Sequence, residues 1–150
     1  MTSYKHTQIG YLILAVLLGL ILFYVWLYGV ISSEINSNFA VLALMAFILF
    51  ILASFLTLTV TIDESYLRVK FGYGIFRKKF SLKEIASAKT VKNHWYYGWG
   101  IRLWLWPAMW IFNVSGFDAV EVVMKNGKIY RIGTDVPEAL EVAIKRVIHS

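Results

Sequence analysis

Residues 10–31 read GYLILAVLLGLILFYVWLYGVI and contain no charged side chain. A helix needs about 20 apolar residues to cross the hydrocarbon core of a bilayer, so this segment is long enough to span a membrane. The apolar part of a cleaved signal sequence is shorter, roughly 7–15 residues, and ends at a small-x-small cleavage site, for which no convincing match follows here. The sequence therefore predicts a transmembrane helix over residues 10–31.

A second uncharged segment, FAVLALMAFILFILASFLTLTV, covers residues 39–60 and is also of spanning length. The polar link SSEINSN separates the two segments, so we expect a transmembrane helical hairpin over residues 10–61. Neither segment contains Asp, Glu, Lys, Arg or His, which are the usual marks of transport or proton-relay chemistry within a membrane. A two-helix transporter is therefore not expected.

The basic residues near the span ends predict the orientation of this hairpin. Lys5 precedes the first span, the link contains no Lys or Arg, and five basic residues follow the second span: Arg68, Lys70, Arg77, Lys78 and Lys79. Cytoplasmic segments carry the excess of Lys and Arg. We therefore expect a multi-pass protein of the inner or plasma membrane with both termini cytoplasmic and residues 1–9 forming an N-terminal tail.

Charge is concentrated after Thr61, where 14 of the 15 basic and 8 of the 9 acidic residues lie. This distribution predicts one small cytoplasmic domain over residues 62–150. Its excess positive charge is better matched to anionic lipid headgroups than to nucleic acid, since the domain is tethered beside a membrane. The chain has no cysteine, which excludes disulfides, thiolate metal sites and cysteine nucleophiles.

Alternating apolar and polar residues over 66–71 predict a strand with one buried face, and residues 76–80 read as its return strand. Residues 119–124 and 128–132 flank Asn126-Gly127, which predicts a hairpin with a type I′ turn.

The last segment, TDVPEALEVAIKRVIH, predicts an amphipathic helix with Pro137 in its first turn and a capping box formed by Asp135 and Glu138. Leu140, Ala143, Ile144 and Val147 share one face of this helix. The predicted fold is a small β-rich domain, a β-sandwich or partly open barrel capped by a C-terminal α-helix.

The strings WYYGWGIR, NVSGFDAVEV and IGTDVPEAL resemble bacterial pleckstrin-homology-like (PH-like) membrane proteins with two N-terminal transmembrane helices. The resemblance covers roughly residues 59–148. It implies a seven-stranded sandwich capped by the C-terminal helix, and it brings no activity with it. The chain departs from the pattern at LWLWPAMWIF, where a shorter and more polar link is expected.

The aromatic segment over residues 95–112 is the first candidate site, because Trp and Tyr favour the boundary between headgroups and hydrocarbon. Packing in the sandwich core or over the membrane hairpin is the alternative, although so many rings are hard to bury in a small core. The candidate residues for a lipid or partner interface are Trp99, Arg102, Trp104, Trp106 and Trp110.

Lys70, Arg77, Lys78 and Lys79 form a second candidate, a basic group on the first hairpin. PH domains that bind lipids place phosphate-binding cations in broadly this position, which the resemblance carries to this chain. Juxtamembrane basic residues attract anionic lipid by about 1 kcal/mol each. The alternative is a charged loop without a specific ligand.

Small residues on the spans are a third candidate, for close helix packing. They serve either packing within the hairpin or self-association. On the first helix they are Ala15 and Gly19, and on the second Ala40, Ala43, Ala46 and Ala53.

The sequence predicts no enzyme, no cofactor and no metal site. His6, His94 and His149 lack the spacing of metal ligands, and Gly98-Trp99-Gly100 lacks the third glycine of a nucleotide-binding loop. No combination of serine, histidine and acid suggests a catalytic set. No small-molecule substrate is evident.

The preferred hypothesis is a membrane-anchored adaptor or scaffold that positions a protein partner at the inner membrane surface through a free strand edge or the aromatic segment. Two other hypotheses remain: a structural homo-oligomer of the membrane, and a module that senses anionic lipid.

Overall fold

A computed structural model describes residues 4–31 and 39–149. A strand, β1, precedes two apolar helices, eight further strands follow them, and a helix ends the described chain. The elements are β1 (Tyr4–Ile9), α1 (Tyr11–Ile31), α2 (Phe39–Ala53), β2 (Thr57–Ile62), β3 (Tyr66–Phe71), β4 (Arg77–Ser81), β5 (Ile85–Lys92), β6 (Gly100–Leu105), β7 (Ala108–Asn113), β8 (Asp118–Met124), β9 (Ile129–Gly133) and α3 (Pro137–Ile148).

Helix α1 is long and apolar enough over Tyr11–Val30 to cross a membrane. Helix α2 is shorter and ends at Ala53, so the predicted second span is wrong beyond that residue. The following residues turn back, and TLTVTI then forms β2, in which buried Leu58, Val60 and Ile62 alternate with threonines. A hydropathy window cannot separate these residues from the helix, but their period of two is that of a strand.

The first sheet has the order β1-β2-β3-β4 and is antiparallel throughout. Strand β1 pairs with β2 along its whole length, from Tyr4 opposite Ile62 to Ile9 opposite Thr57. The prediction of an N-terminal tail is therefore wrong for residues 4–9, while residues 1–3 lie outside the described residues. The β3–β4 pair confirms the first predicted hairpin.

The second sheet has the order β5-β8-β9-β7-β6, with one parallel pair between β7 and β9. The predicted β8–β9 hairpin is confirmed, but its type I′ turn is wrong. The Gly127 amide donates to the Met124 carbonyl (2.9 Å), and only Gly127 in this loop has a positive φ. This is the pattern of a type I turn followed by a glycine bulge, because a type I′ turn also needs a positive φ at Asn126.

Helix α3 lies against β5 and β8 and buries Leu140 and Ile144, as its amphipathic pattern predicts. The predicted capping role of Asp135 is wrong, because α3 begins at Pro137 after Val136 and has no side-chain cap. The Asp135 carboxylate instead contacts His6 Nε2 on β1. The helix terminus is thus joined to the strand that precedes α1.

The two sheets enclose the main core together with α3, and they do not form a closed barrel. The described residues contain nine strands, against the seven that the resemblance implies. One of the additional strands is β1, which precedes α1 in the chain.

The β-rich region has a helix side, where α1 begins and α2 ends, and a far side that carries α3. On the helix side the Gly10 amide donates to the Leu56 carbonyl (2.7 Å), and Gly10 also packs against Val114, just after β7. Phe71 and Phe112 then bring β3 against β7, with ring centres 6.3 Å apart. Strands β5 and β8 contact α3, so β6 is the strand of the second sheet nearest the helix side.

Candidate functional site

The β6–β7 hairpin carries most of the predicted aromatic segment and has two different faces. Leu103 lies opposite Trp110 and Leu105 opposite Ala108, so these four residues share one face. Phe112 lies on the same face but is only 5% exposed, because the first sheet covers it there. Towards the β6–β7 turn, the first sheet no longer covers this face of the hairpin.

On the opposite face, Met109 and Ile111 are buried with Tyr97 in a small second core. Trp104 packs against this cluster, 4.9 Å from the Tyr97 ring, and its indole N–H donates to the Trp106 carbonyl (2.8 Å). Core packing and exposure therefore both occur in this segment. Trp104 belongs to the packed part of the hairpin.

The outer half of the hairpin exposes a group of large apolar side chains that we call the aromatic tip. Its members, with their exposed fractions, are Leu103 (51%), Leu105 (76%), Trp106 (91%) and Trp110 (41%). Contiguous exposed apolar residues mark interaction surfaces more often than single exposed ones do. The aromatic tip is therefore the main candidate surface of the domain.

Trp99 and Arg102 lie apart from the aromatic tip. Trp99 is half-buried beside Phe117, with ring centres 6.4 Å apart. Arg102 Nε donates to the Trp99 carbonyl (3.2 Å) and projects from the face of β6 opposite Leu103. These two predicted interface residues thus form a separate local contact.

The structure divides the predicted basic group between two faces of the first sheet. Lys70 lies opposite Arg77, and Lys79 lies opposite Arg68. Three members of the group, Lys70, Arg77 and Lys79, therefore occupy the outer face together with Arg68. Lys79 Nζ sits 3.7 Å from the centre of the Tyr66 ring, a cation–π contact. Lys78 instead lies opposite buried Val69, on the inner face.

Lys78 connects the basic group to the aromatic tip. Its Nζ is 6.0 Å from the centre of the Tyr130 ring, and Tyr130 is paired with Trp110 across the β7–β9 ladder. A charge on the inner face of the edge strand β4 also discourages the addition of another strand there.

The turn between β3 and β4 lies against the end of α2. The Tyr73 ring stacks on Phe50 of α2 at 5.2 Å, and Phe76 stacks on Phe55 at 4.9 Å. Tyr73 and Ile75 remain more than half exposed. Exposed apolar surface therefore continues from α2 onto the domain.

The small residues of the two helices do not form the contact between them. On α1 the partly covered positions Leu17, Leu20 and Tyr24 share one face, whereas Ala15 and Gly19 lie on the other side and are exposed. Nothing lies within 4 Å of where a Cβ of Gly19 would be. On α2, Ala40, Ala43 and Ala46 are also exposed, and only Ala53 is half-buried.

The acidic residues of the domain serve mainly as structural partners. Glu141 of α3 accepts the Thr90 amide of β5 (2.6 Å) and the Lys145 ammonium (2.5 Å). The Lys145 and Thr90 hydrogen bonds lower the pKa of the Glu141 carboxyl to about 2. Glu121 pairs with Arg131 across β8 and β9 at 2.9 Å.

A shallow groove of about 440 Å³ lies on the far side, between Tyr4 of β1 and α3. Val142, 55% exposed, and Arg146 line its helix wall. The Tyr4 hydroxyl is buried, and no hydrogen-bond partner for it is found in the described part of the chain. Burial, together with the Asp135 charge, raises the Tyr4 pKa.

Sequence reasoning predicted the α3 side of this groove but missed the groove itself, because it treated β1 as a tail. The only local signal was a short polar segment, YKHTQI, whose pairing depends on a strand far along the chain.

Across residues 4–31 and 39–149 no group of His, Cys, Asp and Glu side chains could hold a metal ion. Compared with known proteins, the chain matches no family model, no curated protein and no solved structure.

Proposed function

We propose that this protein is a non-catalytic, membrane-anchored adaptor with a PH-like domain. In this proposal α1 and α2 cross the membrane as a hairpin, and the domain lies on the cytoplasmic side, where Lys and Arg predominate. The domain holds a protein partner at the inner membrane surface. It acts through position and orientation.

The attachment of the domain at both ends of the helical pair carries this proposal. Strand β1 enters α1, α2 leads into β2, and the two strands pair directly. Ile13 of α1 and Phe55, just after α2, pack against the domain core. Such a double attachment restricts rotation of the domain, which a single flexible linker does not.

The helix surfaces support insertion in lipid. Helix α1 spans about 31 Å at 1.5 Å per residue, and side chains around most of its circumference are exposed and apolar. Exposed Tyr11 stands at its domain end, and Trp26 and Tyr28 stand near the other end. Aromatic residues at both ends of a span are typical of the two membrane interfaces.

The groove beside α3 is the proposed partner surface, because the far side is directed away from the helices. It combines the outer edge of β1, which pairs only with β2 among the described strands, with exposed Val142 and with Arg146. An extended peptide can add to a strand edge and place side chains in an adjoining groove.

Photocrosslinking in native membranes tests the adaptor proposal. A photoreactive amino acid replaces Val142 at the groove, Trp106 at the aromatic tip, or Lys125 in the exposed β8–β9 turn as a matched control. We expect a discrete protein adduct from Val142 that is absent from Lys125. No protein adduct from Val142 or Trp106, with full-length protein correctly inserted, would contradict the adaptor function.

The exposed small residues favour a second candidate function, a structural homo-oligomer. Ala43 and Ala46 are exposed on α2 rather than packed on α1, and small residues allow close approach between helices in membranes. Replacing both by Leu should then disrupt self-association, measured by chemical crosslinking in native membranes. Leu44→Ile, at an exposed position of the same helix, is the control; equal crosslinking of all three forms would exclude this function.

A further inference from the structure

We propose that the aromatic tip inserts into the headgroup region of the same membrane that α1 and α2 cross, as a third attachment of the domain. The inference rests on the proposed membrane insertion of the helices and not on the existence of a protein partner. Its ligand is the lipid surface itself, with anionic headgroups next to Lys78 and Arg77.

Contacts between the sheets place the aromatic tip on the helix side of the domain. At one end of the second sheet, Gln8 of β1 donates to the Ser115 carbonyl (3.1 Å), and at the other Phe80 of β4 packs on Tyr130 (4.7 Å). The strands of the second sheet therefore cross the first sheet from β1 towards β4. The β6–β7 hairpin is on the helix side of this sheet and projects past β4.

Exposed apolar side chains extend from α2 onto the adjoining part of the domain. Tyr73, stacked on Phe50, and the neighbouring Ile75 extend the helix surface onto the β3–β4 turn. Strand β4 leads from this turn to Lys78, which contacts Tyr130 beside Trp110. An apolar group next to cations matches a membrane interface, where Trp and Tyr rings lie at the level of anionic headgroups.

The backbone limits how deep the aromatic tip can enter. Strand β6 pairs only with β7 among the described strands, so its other edge has unpaired amide and carbonyl groups. Such an edge is not stable in hydrocarbon, where water cannot satisfy it, but is stable among hydrated headgroups. We therefore infer a shallow insertion of the side chains of Leu105 and Trp106, with the strands remaining at the surface.

Because the chain has no cysteine, single-cysteine variants of the full-length protein can carry a nitroxide label at chosen positions. The variants are Trp106→Cys at the tip, Lys125→Cys and Val142→Cys as water-exposed controls, and Leu22→Cys, 71% exposed on α1, as the lipid control. Each is reconstituted in vesicles of phosphatidylcholine alone or with added phosphatidylglycerol. Collision of the label with oxygen, which is enriched in lipid, is compared with collision with a water-soluble nickel chelate.

At position 106 we expect a loss of accessibility to the chelate relative to positions 125 and 142, and a greater loss in vesicles containing phosphatidylglycerol. Equal chelate accessibility at 106 and 125 in both vesicles, with position 22 protected, overturns the inference and leaves the adaptor proposal standing. Chelate access at position 22 as well would show instead that the helices are not inserted, and both proposals would fail. Protection at 106 in native membranes but not in either vesicle would assign the tip to a protein partner and also overturn lipid insertion.

Discussion

The two ends of the β-rich domain differ in what covers them. On the far side, α3 covers the core with Leu140 and Ile144 and is joined to the strands by the Glu141–Thr90 and Asp135–His6 contacts. On the helix side, exposed Tyr73 and Trp106 remain at the surface. On the far side α3 therefore covers the core and leaves a shallow groove, whereas on the helix side large apolar side chains remain at the surface.

Removing the core contact of α3 is the strongest way to break this contrast. Leu140→Ala empties a fully buried site, and such substitutions cost about 2–5 kcal/mol in the free energy of unfolding. Pulse proteolysis of the full-length protein in detergent micelles with increasing urea measures the change. Val142→Ala, at an exposed position of the same helix, should stay within about 0.5 kcal/mol, and similar losses for both would refute the assigned packing.

A substitution at Gly72 tests how closely the domain joins the helices. Gly72 has a φ of 43°, and a Cβ there would meet the Ser54 carbonyl oxygen, just after α2. Gly116 also has a positive φ (68°) but has open space around it. Gly116→Ala should cost about 1–2 kcal/mol from the backbone alone, and Gly72→Ala should cost more in the same urea assay. Equal costs would contradict the close approach.

The Glu141 contact predicts how the far side responds to acid. Its folded-state pKa of about 2 lies below the ordinary value of 4.5, so its stabilising contribution is present above about pH 4.5 and is lost as the pH falls towards 2. Glu141→Gln should lower the melting temperature at pH 7 and flatten its decline between pH 4.5 and 2. Glu138→Gln, exposed on the same helix, controls for the lost charge; the same pH profile for both variants would argue against this role.

Two tryptophans of one hairpin provide the finest comparison. Trp104→Ser removes a ring packed on Tyr97 and should cost about 1 kcal/mol or more, whereas Trp106→Ser removes a ring that is 91% exposed and should change stability by less than about 0.5 kcal/mol. Urea unfolding monitored by pulse proteolysis distinguishes the two. A large loss from Trp106→Ser would mean that the tip is part of the fold rather than an exposed surface.

Local patterns in the sequence predicted the elements that depend on near neighbours. The β3–β4 and β8–β9 hairpins and the apolar face of α3 follow from periodicity and turn residues within short windows. The predicted second span includes most of β2, because Leu58 and Val60 are as apolar as the helix before them. Strand β1 was missed because its pairing with β2 joins residues such as Thr7 and Thr59, 52 positions apart.

The candidate surface was only partly predictable for a related reason. The sequence identified the aromatic segment, but whether Trp104 or Trp106 is exposed depends on where the first sheet stops covering the second. Likewise, the four basic residues look like one group in the sequence, yet Lys78 lies on the opposite face of β4 from Arg77 and Lys79. Strand pairing decides these faces, and the choice of partner strand is not a local property.

The pairing of β1 with β2 imposes an order of events on the newly made protein. Strand β1 leaves the ribosome before the two helices, but its partner β2 is synthesised only after them. The first sheet can therefore be completed only when α2 brings the chain back to the side on which β1 lies. A chain in which α2 failed to return would leave β1 unpaired and the edge of β2 open, so completion of the first sheet would report directly on the correct placement of α1 and α2 beside it.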